Sequence, residues 1–432
     1  MTTCTQPVRQ NAAEEAIPYM GPDRLSDLPD ALRLKILSTL DAKEVAQTCI
    51  LSKRWQNLWA SVPCLHFDYE TFSTQSSKES HQRFLKFVTS FLLSIDKATK
   101  LDVFKLRCRL GDDDLYEGIG NDMSYFACMW ITLAVERKVK KLQLKMWYYD
   151  CLRIPDSLFV CDTLEELDLS LVLEADEFVE VRPEKVNLPK LKRLRLSNIA
   201  IHEDYMKKIV NGCPVLECLD ACCCSIVTRD VFFGGLKRLS VICCDFDCLD
   251  ISRMVPGLDY LFLAGVTIDD ISSNKMHKLT EARITCHGIE EGMECDVLGS
   301  LVNVEVLEFI SISLMDVLEK ALQKSLIFDK LRRLTLGDCC MICAFGFLSS
   351  LLEHTPKLET LTLLHGFLLE ECCKVNGDHG QNSREKIEWF RCKCLKKVEI
   401  FCTASDSVPE LVERVKLSTL GLNEVLVVVS TR

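Results

Sequence analysis

The residues with the most chemical potential in this sequence are its thiols. There are 25 cysteines and eight histidines among 432 residues. A thiolate can ligate zinc or attack an electrophile, and each use needs a particular arrangement of neighbours. Cysteines cluster at Cys222 to Cys224, Cys243–Cys244, Cys339–Cys340 with Cys343, Cys372–Cys373, and Cys392 with Cys394. Only Cys340-x-x-Cys343 has a common zinc-ligand spacing, and no second pair accompanies it. The histidines are scattered singly, and no cysteine sits in a Cys/His nucleophile arrangement. There is no phosphate loop, no H-E-x-x-H and no G-x-S-x-G. No catalytic residue, metal site or cofactor is therefore assigned, and a non-enzymatic role is expected.

The chain as a whole bounds the alternatives. At 432 residues it is too long for one compact core, so several domains or an elongated stack is expected. A hydrophobic content of 48% excludes a largely disordered chain. With 52 basic and 63 acidic residues, the net charge of −11 disfavours a general nucleic-acid binder. Residues 1–22 lack an apolar core and carry Glu14 and Glu15, so they read as a flexible leader rather than a signal peptide. No stretch approaches 18 apolar residues, so no membrane span is expected; the longest tight apolar run, Val425 to Val429, suits a buried strand. A soluble intracellular chain with reduced thiols follows.

Two kinds of element position whatever this chain binds. The first is helical and covers residues 23–63. Pro29 suits a first helical turn, and Leu32, Ile36, Leu37 and Leu40 then recur at helical spacing. Asp41 and Glu44 form a D-x-x-E capping pair that starts a second helix, with Val45, Ala46, Cys49 and Ile50 on one face. Ser52 can cap a third, carrying Trp55, Leu58 and Trp59, which Pro63 stops. Three short helices bury little on their own, so their apolar surface must be covered by the rest of the chain or by a partner.

The residues themselves leave that choice open, and a resemblance favours the partner. D-R-L-S-x-L-P-D, followed by I-L-S-x-L, T-C-I-L-S-K-R-W and N-L-W, resembles a plant-type F-box over its full length. The resemblance implies binding to a Skp-type adaptor and, through it, to cullin and RING subunits. By position, Leu28 and Pro29 correspond to the Leu-Pro pair, Ile36 and Leu37 to the apolar pair of the first helix, and Leu51 and Trp55 to the Leu-Ser-Lys-Arg-Trp segment. These six residues are the expected adaptor contacts, some shared with the interior of the module. Trp55 is the leading anchor, because buried Trp often dominates binding energy.

The second element is a repeat, apolar-x-x-apolar-x-apolar. Copies start at Val139, Leu164, Leu191, Leu216, Leu236, Leu258, Leu279, Val304, Leu331, Leu358 and Leu395. Successive starts lie 20 to 27 residues apart, except for a last interval of 37. That is the leucine-rich-repeat range of about 20–29 residues. Each copy would supply one short parallel strand whose leucines need neighbouring copies to cover them. Turn signals with Pro precede several copies, as in NGCPVLE, RMVPGLD and EHTPKLE. Cys224, Cys244 and Cys339 each fall three residues after the third apolar position, where this pattern accepts Asn or Cys. Packing in a crowded turn is therefore preferred for them over chemistry.

The architecture resembles that of plant F-box/leucine-rich-repeat proteins. Residues from about Lys386, including CLKKVEIF, ELVERV and LNEVLVVVS, are similar to the FBD segment found in such proteins. The expected fold is α/β: a three-helix F-box, then an irregular leucine-rich-repeat solenoid with a parallel sheet and capping segments. The expected boundaries are a leader at 1–22, the F-box at 23–63, a linker and N-terminal cap at 64–138, repeats at 139–368, an exposed loop at 369–388, and the last repeat with an FBD-like cap at 389–432. GDDDLYEGIGND is expected to be an acidic loop.

Outward positions on the first five predicted strands mostly alternate in charge: Lys141, Glu166, Arg193, Cys218 and Arg238, and beside them Gln143, Asp168, Arg195, Asp220 and Ser240. The sixth strand differs in presenting Tyr260 and Phe262, which either contact a protein substrate or lie under a loop. The resemblance implies a substrate-recognition subunit of an SCF-type ubiquitin ligase in the nucleus and/or cytoplasm, without nucleic-acid or membrane partners. An F-box scaffold that does not direct ubiquitination, and a cysteine-based metal-binding protein, are the alternatives.

Overall fold

The computed structural model describes residues 24–72, 77–109, 119–148, 154–173, 178–227, 231–246, 251–265, 276–286, 299–311, 326–337, 351–364, 394–403 and 424–430. The expected leader at 1–22 and loop at 369–388 lie outside the described residues. The first two helices are α1 (Asp30–Leu37) and α2 (Ala42–Gln47). Longer ones follow at α3 (Ser77–Ser94) and α4 (Ile119–Glu136), then α5 (Glu203–Gly212) and the single turn α6 (Ile251–Met254). The first strands are β1 (Cys64–Asp68), β2 (Val103–Arg109), β3 (Lys141–Tyr148), β4 (Glu166–Leu173), β5 (Val179–Glu180), β6 (Arg193–Ser197), β7 (Ile199–Ile201), β8 (Cys218–Cys222) and β9 (Ser225–Ile226). They continue as β10 (Arg238–Ile242), β11 (Asp245–Phe246), β12 (Tyr260–Ala264), β13 (Glu281–Cys286), β14 (Val306–Ser311), β15 (Arg333–Gly337), β16 (Thr360–Leu364), β17 (Lys397–Thr403) and β18 (Glu424–Ser430).

The main sheet has 14 strands in the order β1-β2-β3-β4-β6-β8-β10-β12-β13-β14-β15-β16-β17-β18. Each pairs in parallel with the next, so the chain advances one strand per repeat without reversal. All eleven copies of the sequence pattern form strands of this sheet. Their second and third apolar positions point inward. Leu144, Leu169, Leu196, Ala221, Val241, Leu263, Ile284, Phe309, Leu336, Leu363 and Ile400 make one continuous buried row in register. The first apolar position is also buried, delivered by a tight turn in which its N–H donates to the carbonyl three residues back: Leu191 to Leu188, Leu216 to Cys213, Leu258 to Val255, Leu358 to Thr355.

The sheet starts two strands earlier than the sequence spacing predicts. β1 and β2 lie in the segment expected to be a linker and cap, and they carry the same pattern: Val62, Leu65 and Phe67, then Leu101, Phe104 and Leu106, all buried. Their repeats are long because each carries an 18-residue helix, α3 or α4. A cluster of aromatic rings fills the space between these helices and the strands. Phe67 meets Phe91 edge-on at 5.7 Å and Phe104 at 5.9 Å, and Phe84 meets Trp130 at 5.9 Å. Ile119 onward, expected in the acidic loop, begins α4; the rest of that stretch lies outside the described residues. At the other end β17 and β18 come from the segment expected to cap the stack, and they extend the sheet.

A second sheet, β11-β9-β7-β5, runs beside the first. It forms because the residue after the main strand turns left-handed at Asn198, Cys223 and Cys243, with φ of 60°, 48° and 48°. Gly265 holds the same position one repeat on, at φ 59°. Each of the four donates its N–H across the stack: Asn198 to Cys222, Cys223 to Ile242, Cys243 to Ala264, Gly265 to Thr285. At Gly265 a side chain would meet both the backbone strain and the Cys243 sulfur, 2.7 Å from a Cβ placed there.

The helical module is fused to the first repeat. The capping box of α2 forms as expected: Glu44 N–H donates to Asp41 Oδ1 at 2.8 Å, and Asp41 N–H donates to Glu44 Oε2 at 3.1 Å. The third helix does not form. Thr48–Ile50 and Leu58–Ser61 are separate 3-10 turns, with non-helical turns between them. Trp59 packs on Phe91 of α3 at 5.1 Å, Lys43 Nζ donates to the Thr71 carbonyl at 2.6 Å, and Asp96 N–H donates to the Ala60 carbonyl. Leu37, Val45 and Trp55 thus belong to the same apolar core as the strands. Among the described residues no helix is long and apolar enough to cross a membrane.

One packing contact is sharp enough to test. The carbonyl of Gly212 accepts from the Leu188 N–H, and a Cβ on Gly212 would lie 2.2 Å from the Val186 carbonyl oxygen, which is backbone and cannot rotate away. Gly212→Ala is expected to destabilise the chain by about 1–3 kcal/mol. Gly299→Ala, with nothing within 4 Å, should be neutral or stabilising by up to about 1 kcal/mol. Denaturant unfolding of both variants checks the contrast.

Candidate functional site

Two surfaces stand out, one on the helical module and one on the sheet. On the module, side chains divide cleanly between inside and outside. Leu37 and Trp55 are interior, with Trp55 only 2% exposed. This corrects the expectation that Trp55 anchors a partner: its ring is already covered by the chain itself. Leu28 is half-buried and Pro29 exposed. Ile36 and Leu51 are exposed, and they are joined by Leu25, Leu32 and Ile50, the last 83% exposed. Five large apolar side chains are thus left in water within one short module, and exposed apolar groups of this kind commonly mark an interaction surface.

The shape of that surface depends on a residue that sequence reasoning misses. Arg33 is buried, on the inward side of α1 one turn before Leu37. Its Nε donates to the Leu28 carbonyl at 3.1 Å, its Nη1 to the Arg54 carbonyl at 2.6 Å, and its Nη2 pairs with Asp30. The guanidinium lies 5.6 Å from the centre of the Trp55 ring. Arg54 in turn donates to the Ser26 carbonyl, and the Ser26 and Ser52 hydroxyls are 2.7 Å apart. This network holds the Leu28–Pro29 segment and the Leu51–Trp55 segment side by side. The available signal is an arginine at an inward helical position, three residues after Asp30.

On the sheet, the outward residues of adjacent strands pair laterally as the alternating charges predict. Arg195 bridges Asp168 at 3.6 Å and Asp220 at 3.2 Å. Lys141 meets Glu166 at 2.8 Å, Gln143 donates to Asp168 at 2.6 Å, and Arg283 reaches Glu308 on the next strand at 3.6 Å and Glu281 on its own strand at 3.0 Å. Tyr260 and Phe262 do lie on this outward face, both half-buried, in register with Arg238 and Ser240 on one side and Glu281 and Arg283 on the other. The Arg238 guanidinium sits 3.8 Å from the Tyr260 ring centre, so one face of that ring is taken.

Among the described residues, the buried thiols belong to the scaffold. Cys224 is fully buried, and its Sγ donates to the Cys222 carbonyl at 3.3 Å. Cys244 repeats the arrangement against Ile242 at 3.3 Å, and its sulfur accepts from the Cys224 N–H at 3.3 Å. Sulfur therefore satisfies backbone groups in the turn that starts the second sheet, as an Asn side chain would. Cys339, Cys340 and Cys343 lie outside the described residues. Among the described residues no group of three or more His, Cys, Asp or Glu is placed to hold a metal ion. Burial pushes the Cys213 thiol up to about 12, and burial with the neighbouring Cys223 thiol pushes Cys222 up to about 12. Contact with Cys224, then burial, also raises Cys244.

Comparison with known proteins agrees with this division. The F-box domain model matches residues 25–67, running from the exposed Leu25 into β1. The model for the leucine-rich repeats of FBD-associated F-box protein At5g56370 matches residues 128–284, from α4 into β13. The F-box/FBD/LRR-repeat protein At4g26340 of Arabidopsis thaliana is 31% identical over 361 residues, covering 79% of this chain and 77% of that protein. The FBD-associated F-box protein At5g56370 of Arabidopsis thaliana is 30% identical over 364 residues, covering 80% and 76%. The chain belongs to the plant F-box/leucine-rich-repeat family. The helices α1 and α2 of the module lie within the F-box match, and β3 to β12 lie within the repeat match, which ends inside β13. The array continues in the same register through β14–β18, beyond the stretch that the repeat model matches.

The thiol assignment predicts an order of modification. At a pH of about 8 the exposed Cys243 and Cys394 should react with iodoacetamide well before Cys213, Cys224 and Cys244, which are buried. Mass spectrometry of native chain after timed labelling would read this. Early modification of Cys224 or Cys244 would contradict their role in the turns.

Proposed function

We propose that this F-box protein is the non-catalytic, target-receiving subunit of an SCF-type cullin-RING ubiquitin ligase. The observation that carries the reading is the exposed apolar group Leu25, Leu32, Ile36, Ile50 and Leu51, on a module that shares its core with a long outward-facing sheet. The apolar group docks a Skp-type adaptor, with Leu28 and Pro29 at its edge, and the adaptor links the chain to cullin and RING subunits. The sheet receives a target protein, with Tyr260 and Phe262 as contacts. Ubiquitin transfer is then performed by other subunits, and this chain contributes proximity. Holding a target lysine near a charged conjugating enzyme raises its effective concentration without any reacting group on the receptor. The shared core between F-box and first repeat supports this division, because proximity is lost when a linker lets the target wander. Such a complex would work in the nucleus and/or cytoplasm, where thiols stay reduced.

The two sets of F-box residues should behave differently. Ile50→Ala with Leu51→Ala is expected to weaken retention of a Skp-type adaptor at least about tenfold, with thermal unfolding unchanged. Trp55→Ala should instead destabilise the chain by about 3–5 kcal/mol, as for other buried aromatics. Adaptor co-purification alongside calorimetry separates these outcomes, and undiminished retention by the Ile50/Leu51 variant would refute the docking surface. For the sheet, Tyr260→Ala with Phe262→Ala should reduce recruitment of a co-purifying target while leaving adaptor retention intact.

A further inference from the structure

One part of the sheet breaks the lateral pairing rule. On β2 and β3 the outward residues in register are Lys105 with Gln143, Arg107 with Lys145, and Arg109 with Trp147. Arg107 and Lys145 are like charges directly across from each other, an arrangement that destabilises a sheet. Lys105 and Arg109 flank Arg107 on the same face of β2, two residues away on either side. Among the described residues only Arg107 of this group meets carboxylates, Asp68 at 3.5 Å and Glu70 at 3.3 Å, while Lys105 and Lys145 make no ion pair. Further along the sheet Arg195 lies between Asp168 and Asp220, and Arg283 reaches Glu281 and Glu308. Among the described residues Lys105 and Lys145 thus stay unpaired beside the Arg107 that Asp68 and Glu70 hold, a local excess of positive charge on a chain of net charge −11.

The same residues line a shallow cavity of about 440 Å³, bounded by His66, Asp68, Lys105, Arg107, Lys145 and Trp147. The half-buried Trp147 forms one wall, with the Arg107 guanidinium 5.9 Å from its ring centre. We propose that the outer face of β1–β3 is a docking groove for an extended acidic segment of the target protein, one that carries two or more carboxylates beside an apolar or aromatic side chain. Lys105 and Lys145 take the carboxylates, and Trp147 takes the apolar side chain. Three strands about 4.8 Å apart span about 10 Å, the length of three or four extended residues, so the recognised element is short.

This inference rests on the target-receiving reading and narrows it to one end of the sheet. The test uses full-length chain bound to its adaptor and a fluorescein-labelled peptide Gly-Glu-Phe-Glu-Glu-Gly, followed by anisotropy. The acidic peptide is expected to bind, with affinity falling as salt rises. The same peptide with every Glu replaced by Gln should bind at least about tenfold more weakly. Lys105→Glu with Lys145→Glu should reduce binding of the acidic peptide by a similar factor, whereas Arg195→Glu, on the same sheet outside the groove, should change it less than about twofold. Equal binding of the two peptides, or equal binding by the Lys105/Lys145 variant and the parent, would overturn the groove. So would complete displacement by millimolar inorganic phosphate, which would show an adventitious anion site only. Adaptor retention is read in the same samples, so failure of the parent chain to bind the acidic peptide while it retains the adaptor counts against the groove alone. Peptide binding without ubiquitination of a reporter fused to that peptide, in the reconstituted ligase, would instead count against the target-receiving reading and leave the groove standing.

Discussion

A parallel strand in this molecule has an inward face that it cannot cover by itself, and that need shapes the whole chain. Each repeat offers only a few inward side chains, such as Leu142 and Leu144 on β3. These become dry only when β2 brings Phe104 and Leu106 alongside and β4 brings Leu167 and Leu169. Phe104 takes the inward place on β2 that leucine takes on β3 and β4. Because an inner strand needs two neighbours, the array propagates from β1 to β18 and absorbs what flanks it. The F-box is absorbed in this way. Leu37, Val45 and Trp55 are covered by the same core, so the module holds a fixed attitude to the sheet.

That constraint separates residues that build from residues that bind. Inward leucines, the turn cysteines and Arg33 are committed to the frame. Among the described residues, what the frame leaves outside includes an apolar group on the F-box and one face of the sheet. On that face most charges are spent on one another, which makes the outward surface largely self-neutral. The cationic group on β2–β3 and the aromatic pair on β12 depart from that pairing, and on the proposed reading these are the positions a target would contact.

Much of this is legible in the sequence, for reasons that particular residues make plain. The repeat pattern specifies all eleven of its strands, because two inward apolar residues with a third in the preceding turn leave little freedom in register. The capping pair Asp41 and Glu44 marks the start of α2. The strands β1 and β2 carry the pattern but escape the repeat, because their 18-residue helices stretch the interval past the usual repeat length. Trp55 is ambiguous because a tryptophan in a short module reads equally well as anchor or as core. Its contact with the buried Arg33 helps decide between them, and that contact joins residues far apart in sequence. Ile50, by contrast, sits on the face that periodicity assigns to α2, but the chain has already left the helix there and the side chain points to solvent.

If the F-box surface and the sheet face are separate binding surfaces on one frame, a Skp-type adaptor should touch the first and not the second. Amide hydrogen exchange of the full chain, alone and bound to the adaptor, distinguishes them. The adaptor is expected to slow exchange in residues 25–52 and to leave β3 through β16 unchanged. Slowed exchange across the sheet strands, with residues 25–52 unaffected, would contradict this division of the molecule.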